Sequence, residues 1–109
     1  MSLCDFPVRT RVFKGYGNIT TVTPDADIDM ATATRVVMCF TGVSAASDAV
    51  TPHVWFAEVA GVWTITAKIG MFTGLQDGEY DVAVVVYTAA NADGIVLQDL
   101  IPIEVVTVC

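Results

Sequence analysis

Charge is scarce in this chain. Only 16% of the residues are charged, and just five Lys+Arg stand against twelve Asp+Glu. Nucleic-acid recognition needs basic side chains gathered over phosphates. Here Arg9, Arg11, Lys14, Arg35 and Lys68 are scattered, without interleaved aromatics. No nucleic-acid partner is expected, and an anionic membrane surface is disfavoured on the same ground. Cysteine is also sparse. Cys4, Cys39 and Cys109 show neither CxxC nor a regular spacing, so they are no disulfide framework. Pairing of Cys4 with Cys109 stays open beside the plainer reading of free thiols in a reducing compartment. His53 is the one histidine, and with such scattered thiols it builds no zinc site. Long apolar runs are missing: Val82 to Tyr87 is far too short to cross a bilayer. The N-terminus lacks the basic and apolar regions of a secretory signal. There is no GxGxxG, P-loop, HExxH or GxSxG, so nothing argues for an enzyme.

What the chain has in plenty is apolar surface. It is 54% hydrophobic over 109 residues. That rules out a disordered tail. A small domain has too much surface for its volume to hide all of this in one core, so part of it is expected to face another subunit. Met1-Ser2-Leu3 reads as a leader added by an expression vector. Residues 1–3 are therefore set apart, and residues 4–109 are expected to form one domain.

No stretch reads as a confident helix. Phe6 to Phe13 alternates loosely, and Ile19 to Val22 is β-branched. Arg35 to Thr41 is a strand with Val36, Met38 and Phe40 inward. Ser44 to Asp48 is a small-residue loop. His53 to Val59 is a strand. In Val62 to Ile69, the residues Trp63, Ile65, Ala67 and Ile69 take one face and Thr64, Thr66 and Lys68 the other, the period-2 mark of a half-exposed antiparallel strand. Asp77-Gly78 is a turn signal that leads into Tyr80 to Thr88. Tyr80, Val82, Val84 and Val86 take the core face there, yet Ala83, Val85 and Tyr87 opposite are apolar too. A strand apolar on both faces is central between layers or covered by a neighbour. The last region, Ile95 to Val108, is broken near Asp99 and at Pro102, which suits an edge or a bulge. Asp25 to Thr34 is the place for a short helical turn or a crossover. About seven strands at this spacing predict an all-β, immunoglobulin-like antiparallel β-sandwich. Tyr80 just after the turn is placed like a tyrosine corner.

Three constellations carry possible chemistry. His53 with Cys39 is a thiol-imidazole pair only if a third group orients it. Asp25, Asp27 and Asp29 alternate, so their carboxylates share one side of an extended segment and are candidate calcium ligands; Asp48, Asp77, Asp93 and Asp99 are available from other loops. Trp55, Trp63, Tyr16, Tyr80 and Tyr87 offer rings for stacking a sugar or peptide, although rings in a small sandwich are usually core. Trp55 and Phe56 are adjacent and point to opposite faces.

The order of signals runs from Phe13-Lys14-Gly15 through Ile28-Asp29-Met30-Ala31-Thr32-Ala33-Thr34-Arg35-Val36-Val37-Met38 to Gly61-Val62-Trp63-Thr64-Ile65. It continues in Gly74-Leu75-Gln76-Asp77-Gly78-Glu79-Tyr80-Asp81-Val82 and Asn91-Ala92-Asp93-Gly94-Ile95. It closes on Ile101-Pro102-Ile103-Glu104-Val105. This layout resembles the immunoglobulin-like modules of tailed-bacteriophage structural proteins, such as baseplate and tail-fibre-associated sandwiches. It departs from the antibody pattern at Val82, where a Cys would follow Tyr80 by two positions, so no inter-sheet disulfide is expected. The resemblance implies a non-catalytic virion structural or assembly protein of a phage or prophage (tail, baseplate or head-associated). It implies contacts with other virion proteins, homo-oligomerisation and no cofactor. The protein would lie in the virion, or in the host cytoplasm before assembly. The interface candidates are Ala83, Val85, Tyr87, Ile101, Ile103 and Val105. A second reading is a cell-surface module for a glycan or for calcium-dependent adhesion, using Trp55, Tyr16 and the Asp25, Asp27 and Asp29 group.

Overall fold

Two sheets face each other across the apolar positions that the alternation marks out. The computed structural model describes residues 9–108. The leader residues and the Cys4–Cys109 pairing lie outside the described residues, as do the first positions of the strand expected from Phe6. The strands are β1 (Thr10–Phe13), β2 (Ile19–Val22), β3 (Ala33–Phe40), β4 (Val43–Ala46), β5 (Val54–Val59), β6 (Val62–Lys68), β7 (Gly78–Thr88), β8 (Ile95–Val96) and β9 (Ile101–Val106). The larger sheet runs β1-β9-β7-β3-β4, with β8 also on β7, and the smaller runs β2-β6-β5. Variable-type immunoglobulin domains extend a three-strand layer with a further hairpin; here β9, β7 and β3 are that layer and β4 the addition. Every pair is antiparallel except β1 with β9, which is parallel.

The core confirms the inward sets. Val36 and Met38 of β3, Ile65 and Ala67 of β6, and Val82, Val84 and Val86 of β7 are all fully buried. Ile28, Met30 and Phe72 join them from the connections. Each large apolar side chain buried this way stabilises the fold by about 1.5–3 kcal/mol. A 3-10 turn at Met30–Thr32 falls in the segment expected to be a short helical turn or crossover, and a second one, Ile69–Met71, ends β6. Tyr80 opens the core face of β7 and tilts against Phe40, ring centroids 5.0 Å apart. Among the described residues its hydroxyl makes no hydrogen bond to a backbone carbonyl, and the contact seen at this corner is the ring packing.

The structure corrects three details. The Ser44–Asp48 loop is mostly strand: Thr41-Gly42 closes a tight hairpin, Val43 is buried, and Ser44 to Ala46 pair with β3. Small side chains weaken the strand signal without preventing a short edge strand. The last region forms β8 and β9 in succession along one side of β7, which raises the count among the described residues to nine strands. Pro102 is not on an edge strand, because β9 lies between β1 and β7. Pairing with β1 begins only at Ile103, so no ladder bond to β1 is called for at the proline.

The β1–β2 turn is where the chain leaves the larger sheet for the smaller. The Asn18 side-chain amide donates to the Phe13 and Tyr16 carbonyls at 2.8 and 2.9 Å. The Gly15 N–H donates to the Gly70 carbonyl at 2.8 Å. A Cβ at Gly70 would fall 2.1 Å from the Tyr16 oxygen. Only glycine lets the turn sit this close.

Candidate interaction surface

The outward positions of the larger sheet line up in rows across the strands, because the registers bring them together. The first row is Arg35 on β3 beside Tyr87 on β7. The Arg35 guanidinium stacks on the Tyr87 ring, 5.1 Å from its centroid, and a Cβ at Gly94 would fall 3.0 Å from that ring. The second row is wholly apolar: Ala46, Val37, Val85 and Val96 stand side by side on β4, β3, β7 and β8. The third is Ser44, Cys39 and Ala83. Then come Asp81 beside Pro102, and Glu79 beside Glu104 beside Arg11. Val96 is 56% exposed; Val37, Cys39, Ala83, Val85 and Tyr87 are half-buried by their neighbours alone.

Ion pairs frame this stripe. Arg9 Nη1 lies 3.0 Å from Asp81 Oδ1 and donates to the Tyr80 carbonyl at 2.9 Å, and its Nε is 3.8 Å from Glu79. Arg11 reaches Glu104 at 3.7 Å. Two carboxylates directly opposite, Glu79 and Glu104, would repel; the flanking arginines offset this. Lys14 Nζ and the Thr107 hydroxyl both reach Asp77 Oδ1, at 3.1 and 2.8 Å. The Thr107 hydrogen bond and then Lys14 hold the Asp77 carboxyl below its ordinary value. At the other end Arg35 Nε is 3.2 Å from Asp48 Oδ1. That contact is an ion pair without hydrogen-bond alignment, since the buried Nε lacks a partner. Around this sheet four cations meet the five carboxylates Asp48, Asp77, Glu79, Asp81 and Glu104. Asp25, Asp27 and Asp29 lie in the β2–β3 connection and Glu58 on β5, while Asp93 and Asp99 lie in the β7–β8 and β8–β9 connections of the larger sheet.

The interface candidates divide. Ala83, Val85 and Tyr87 do face outward on β7, while Ile103 and Val105 are 0% and 1% exposed in the core, and Ile101 packs against that core. The apolar run at the end of the chain belongs to the fold, because β9 is an interior strand of the sheet. Val37, Ala46 and Val96 were not among the candidates. The alternation alone places Val37, since Val36 and Met38 point inward.

The other constellations do not assemble. Among the described residues no group of three or more His, Cys, Asp or Glu side chains gathers to hold a metal ion. Asp25 Oδ2 instead accepts a hydrogen bond from the Gln98 N–H at 3.3 Å. His53 precedes β5 and lines a cleft of about 310 Å³ with Arg35, Val37 and Phe72, a cleft that Cys39 does not line. Trp63 packs against the core, tilted on Phe56 at 6.2 Å. Trp55 is 37% exposed, on the outer face of the smaller sheet under Lys68, whose Nζ is 5.9 Å from the ring centroid. Tyr16 is exposed in the β1–β2 turn. The described residues hold no helix long and apolar enough to cross a membrane. The chain matches no family model, no curated protein and no solved structure.

Proposed function

We propose that this protein is a non-catalytic assembly module of a phage or prophage virion, acting through protein contacts made by the outer face of the larger sheet. One observation carries the contact surface: the in-register apolar row Ala46, Val37, Val85 and Val96, framed by charges already paired within the chain. A face of that kind loses water at little electrostatic cost when a partner covers it. The virion assignment rests on the motif layout and its resemblance to phage sandwich modules. The partners are other virion proteins and further copies of the chain.

The reading is tested in particles. Phage particles purified from an induced lysogen that carries the gene contain the wild-type protein in stoichiometric amounts. A Val85→Arg variant of unchanged circular dichroism is missing from them. Particles without the wild-type protein refute the virion role, and normal incorporation of the variant refutes the role of this face.

A further inference from the structure

We infer that one end of the sandwich binds a basic segment of a partner protein, one in which an apolar side chain is flanked by Lys or Arg. This goes beyond the assembly reading and does not depend on it. The site is a groove of about 280 Å³ between the β2–β3 connection and the β5–β6 hairpin, lined by Pro24, Asp25, Ile28, Met30, Val62 and Trp63. Its floor belongs to the core. Ile28 and Met30 are 7% and 4% exposed, and Trp63 is half-buried and tilted on Phe56. Val62 stands exposed at the rim. The volume is at the small end for a ligand pocket, so it suits one or two side chains rather than a cofactor.

Charge names the occupant. Asp25 lines the groove and is half-buried. Glu58 stands directly opposite Trp63 in the β5–β6 register, so the two side chains leave the sheet on the same side, and Glu58 is exposed there. Asp27 and Asp29 are exposed on either side of Ile28 in the chain. Asp99 follows Gln98, whose N–H donates to Asp25 Oδ2 at 3.3 Å. The five Lys+Arg of the chain are engaged elsewhere. Arg9 and Arg11 meet Glu79, Asp81 and Glu104, and Lys14 meets Asp77. Arg35 meets Asp48 and Tyr87, and Lys68 lies over Trp55. The carboxylates around the groove thus keep a field that no ion pair among the described residues cancels, and a cationic partner is drawn to it. An acidic segment is repelled. A purely apolar one would take water from Asp25 and return no donor. A metal ion alone has too few ligands, since no three acidic, His or Cys side chains gather among the described residues. A Lys or Arg next to an apolar residue matches both halves of the site. The apolar side chain covers Ile28, Met30 and Trp63, and the cation lays its stem along the rim and brings its charge to Asp25 and Glu58.

Fluorescence titration of the full chain tests this. A Trp55→Phe background leaves Trp63 as the one tryptophan. The probes are three capped synthetic peptides: leucine flanked by lysine and arginine, the same peptide with glutamate for every cation, and the same peptide with serine for leucine. The first peptide should shift the Trp63 emission in a saturable way, and its affinity should fall as salt is added. The glutamate peptide should not bind, and the serine peptide should bind about tenfold or more weakly than the first. Asp25→Asn combined with Glu58→Gln should raise the dissociation constant about tenfold, as the joint loss of two partly exposed ion pairs does. The asparagine keeps an oxygen for the Gln98 N–H, and circular dichroism checks that the double variant is folded. Glu104→Gln, in the row with Glu79 and Arg11 on the larger sheet, should leave the constant within about twofold. No saturable response to the first peptide in either fluorescence or calorimetry overturns the inference. So does binding that calorimetry detects while Trp63 stays unmoved, or binding indifferent to the Asp25 and Glu58 pair. Equal affinity for the serine peptide reduces the effect to bulk charge and overturns the groove. Trp63 emission that changes with protein concentration alone puts a second copy there instead. The particle experiment is decided separately, so the virion reading stands or falls without this one.

Discussion

The two sheets turn unlike faces to the outside. The smaller one presents Ile19, Thr21, Trp55, Ala57, Val59, Val62, Thr64, Thr66 and Lys68, in which threonine and lysine alternate with apolar side chains. Threonine suits a strand through its β-branch and keeps a hydroxyl for water, and at the middle of this face Thr66 and Thr64 stand opposite Trp55 and Ala57. The larger sheet places valine, alanine and cysteine at the matching positions and gathers its ion pairs at the two ends of the stripe. Both sheets share one core, so folding alone demands nothing different of the two exteriors. The larger sheet alone has a row that is apolar from strand to strand, Ala46, Val37, Val85 and Val96, and it is why contact is proposed there.

The comparison breaks most completely at the seam between the sheets. Gly70→Ala should have the largest effect, a loss of roughly 3 kcal/mol, because the backbone oxygens of Tyr16 and Phe13, with the Asn18 amide nitrogen bonded to both, occupy the space of the new Cβ. Urea unfolding with an unchanged m-value checks it. A loss under about 0.5 kcal/mol would mean that the β1–β2 turn can lift away freely, and the two exteriors would then no longer be held in one frame.

A mirrored exchange sharpens the contrast itself. Val85→Thr and Thr66→Val swap the outward chemistry at central positions of the two faces. If a second copy covers the larger sheet, Val85→Thr costs about 1–2 kcal/mol of dimer stability, the price of a buried hydroxyl without a partner. Thr66→Val should stay within about 0.5 kcal/mol of wild type, as an exposed strand substitution does. Equal effects from the two would erase the distinction between the faces. Chemical denaturation at two protein concentrations reads both, since dimer stability depends on concentration.

Most of this fold was legible because its strands alternate strongly. Val62 to Ile69 announced both of its faces, and so did Tyr80 to Thr88, whose outward apolar set is half of the proposed contact surface. The hairpin strand β4 was hidden by composition: Ser44, Ala45 and Ala46 read as loop residues, and only pairing with β3 makes them a strand. The assignment of Ile103 and Val105 to an interface failed for a different reason. An apolar run next to a proline looks like an exposed edge, but whether a strand is central or peripheral depends on its long-range partners. Here β1 supplies the outer neighbour. The frame of ion pairs was illegible for the same cause, since Arg9 and Asp81 meet only through the sheet. The acids of the β2–β3 connection show the converse. Their local alternation suggests convergence that the fold does not produce.

The smaller sheet also holds a local fault. Ala60-Gly61 joins β5 to β6 as a two-residue loop between the paired Val59 and Val62, and both residues have positive φ, 53° and 81°. That is the type I′ geometry, which favours Asn-Gly. The methyl of Ala60 is strained there, so Ala60→Asn should stabilise the protein by about 0.5–1 kcal/mol. A rise in melting temperature without a change in incorporation into particles is the expected pair of readings. A change in incorporation would tie the smaller sheet to the interface and weaken the contrast between the faces.

Asp77 should give the smallest effect, with a defined pH dependence. Its carboxylate joins the end of β1 to the end of β9 through Lys14 and the Thr107 hydroxyl. These partners, the hydroxyl first, lower its folded-state value below the ordinary aspartate value of about 3.9. The unfolded chain then binds the proton more readily than the folded one. The contribution is therefore fully present above the unfolded value and fades as the pH falls through the folded one. Asp77→Asn should lower the melting temperature slightly at neutral pH, and the two melting curves should converge in acid once the pH falls through the folded-state value. The group is exposed, so added salt should narrow the neutral-pH gap as well. A gap that persists unchanged in acid would show that the substituted amide fails by geometry rather than by charge. The rim of the larger sheet would then be held by hydrogen bonding to Thr107, with the Lys14 ion pair incidental to it.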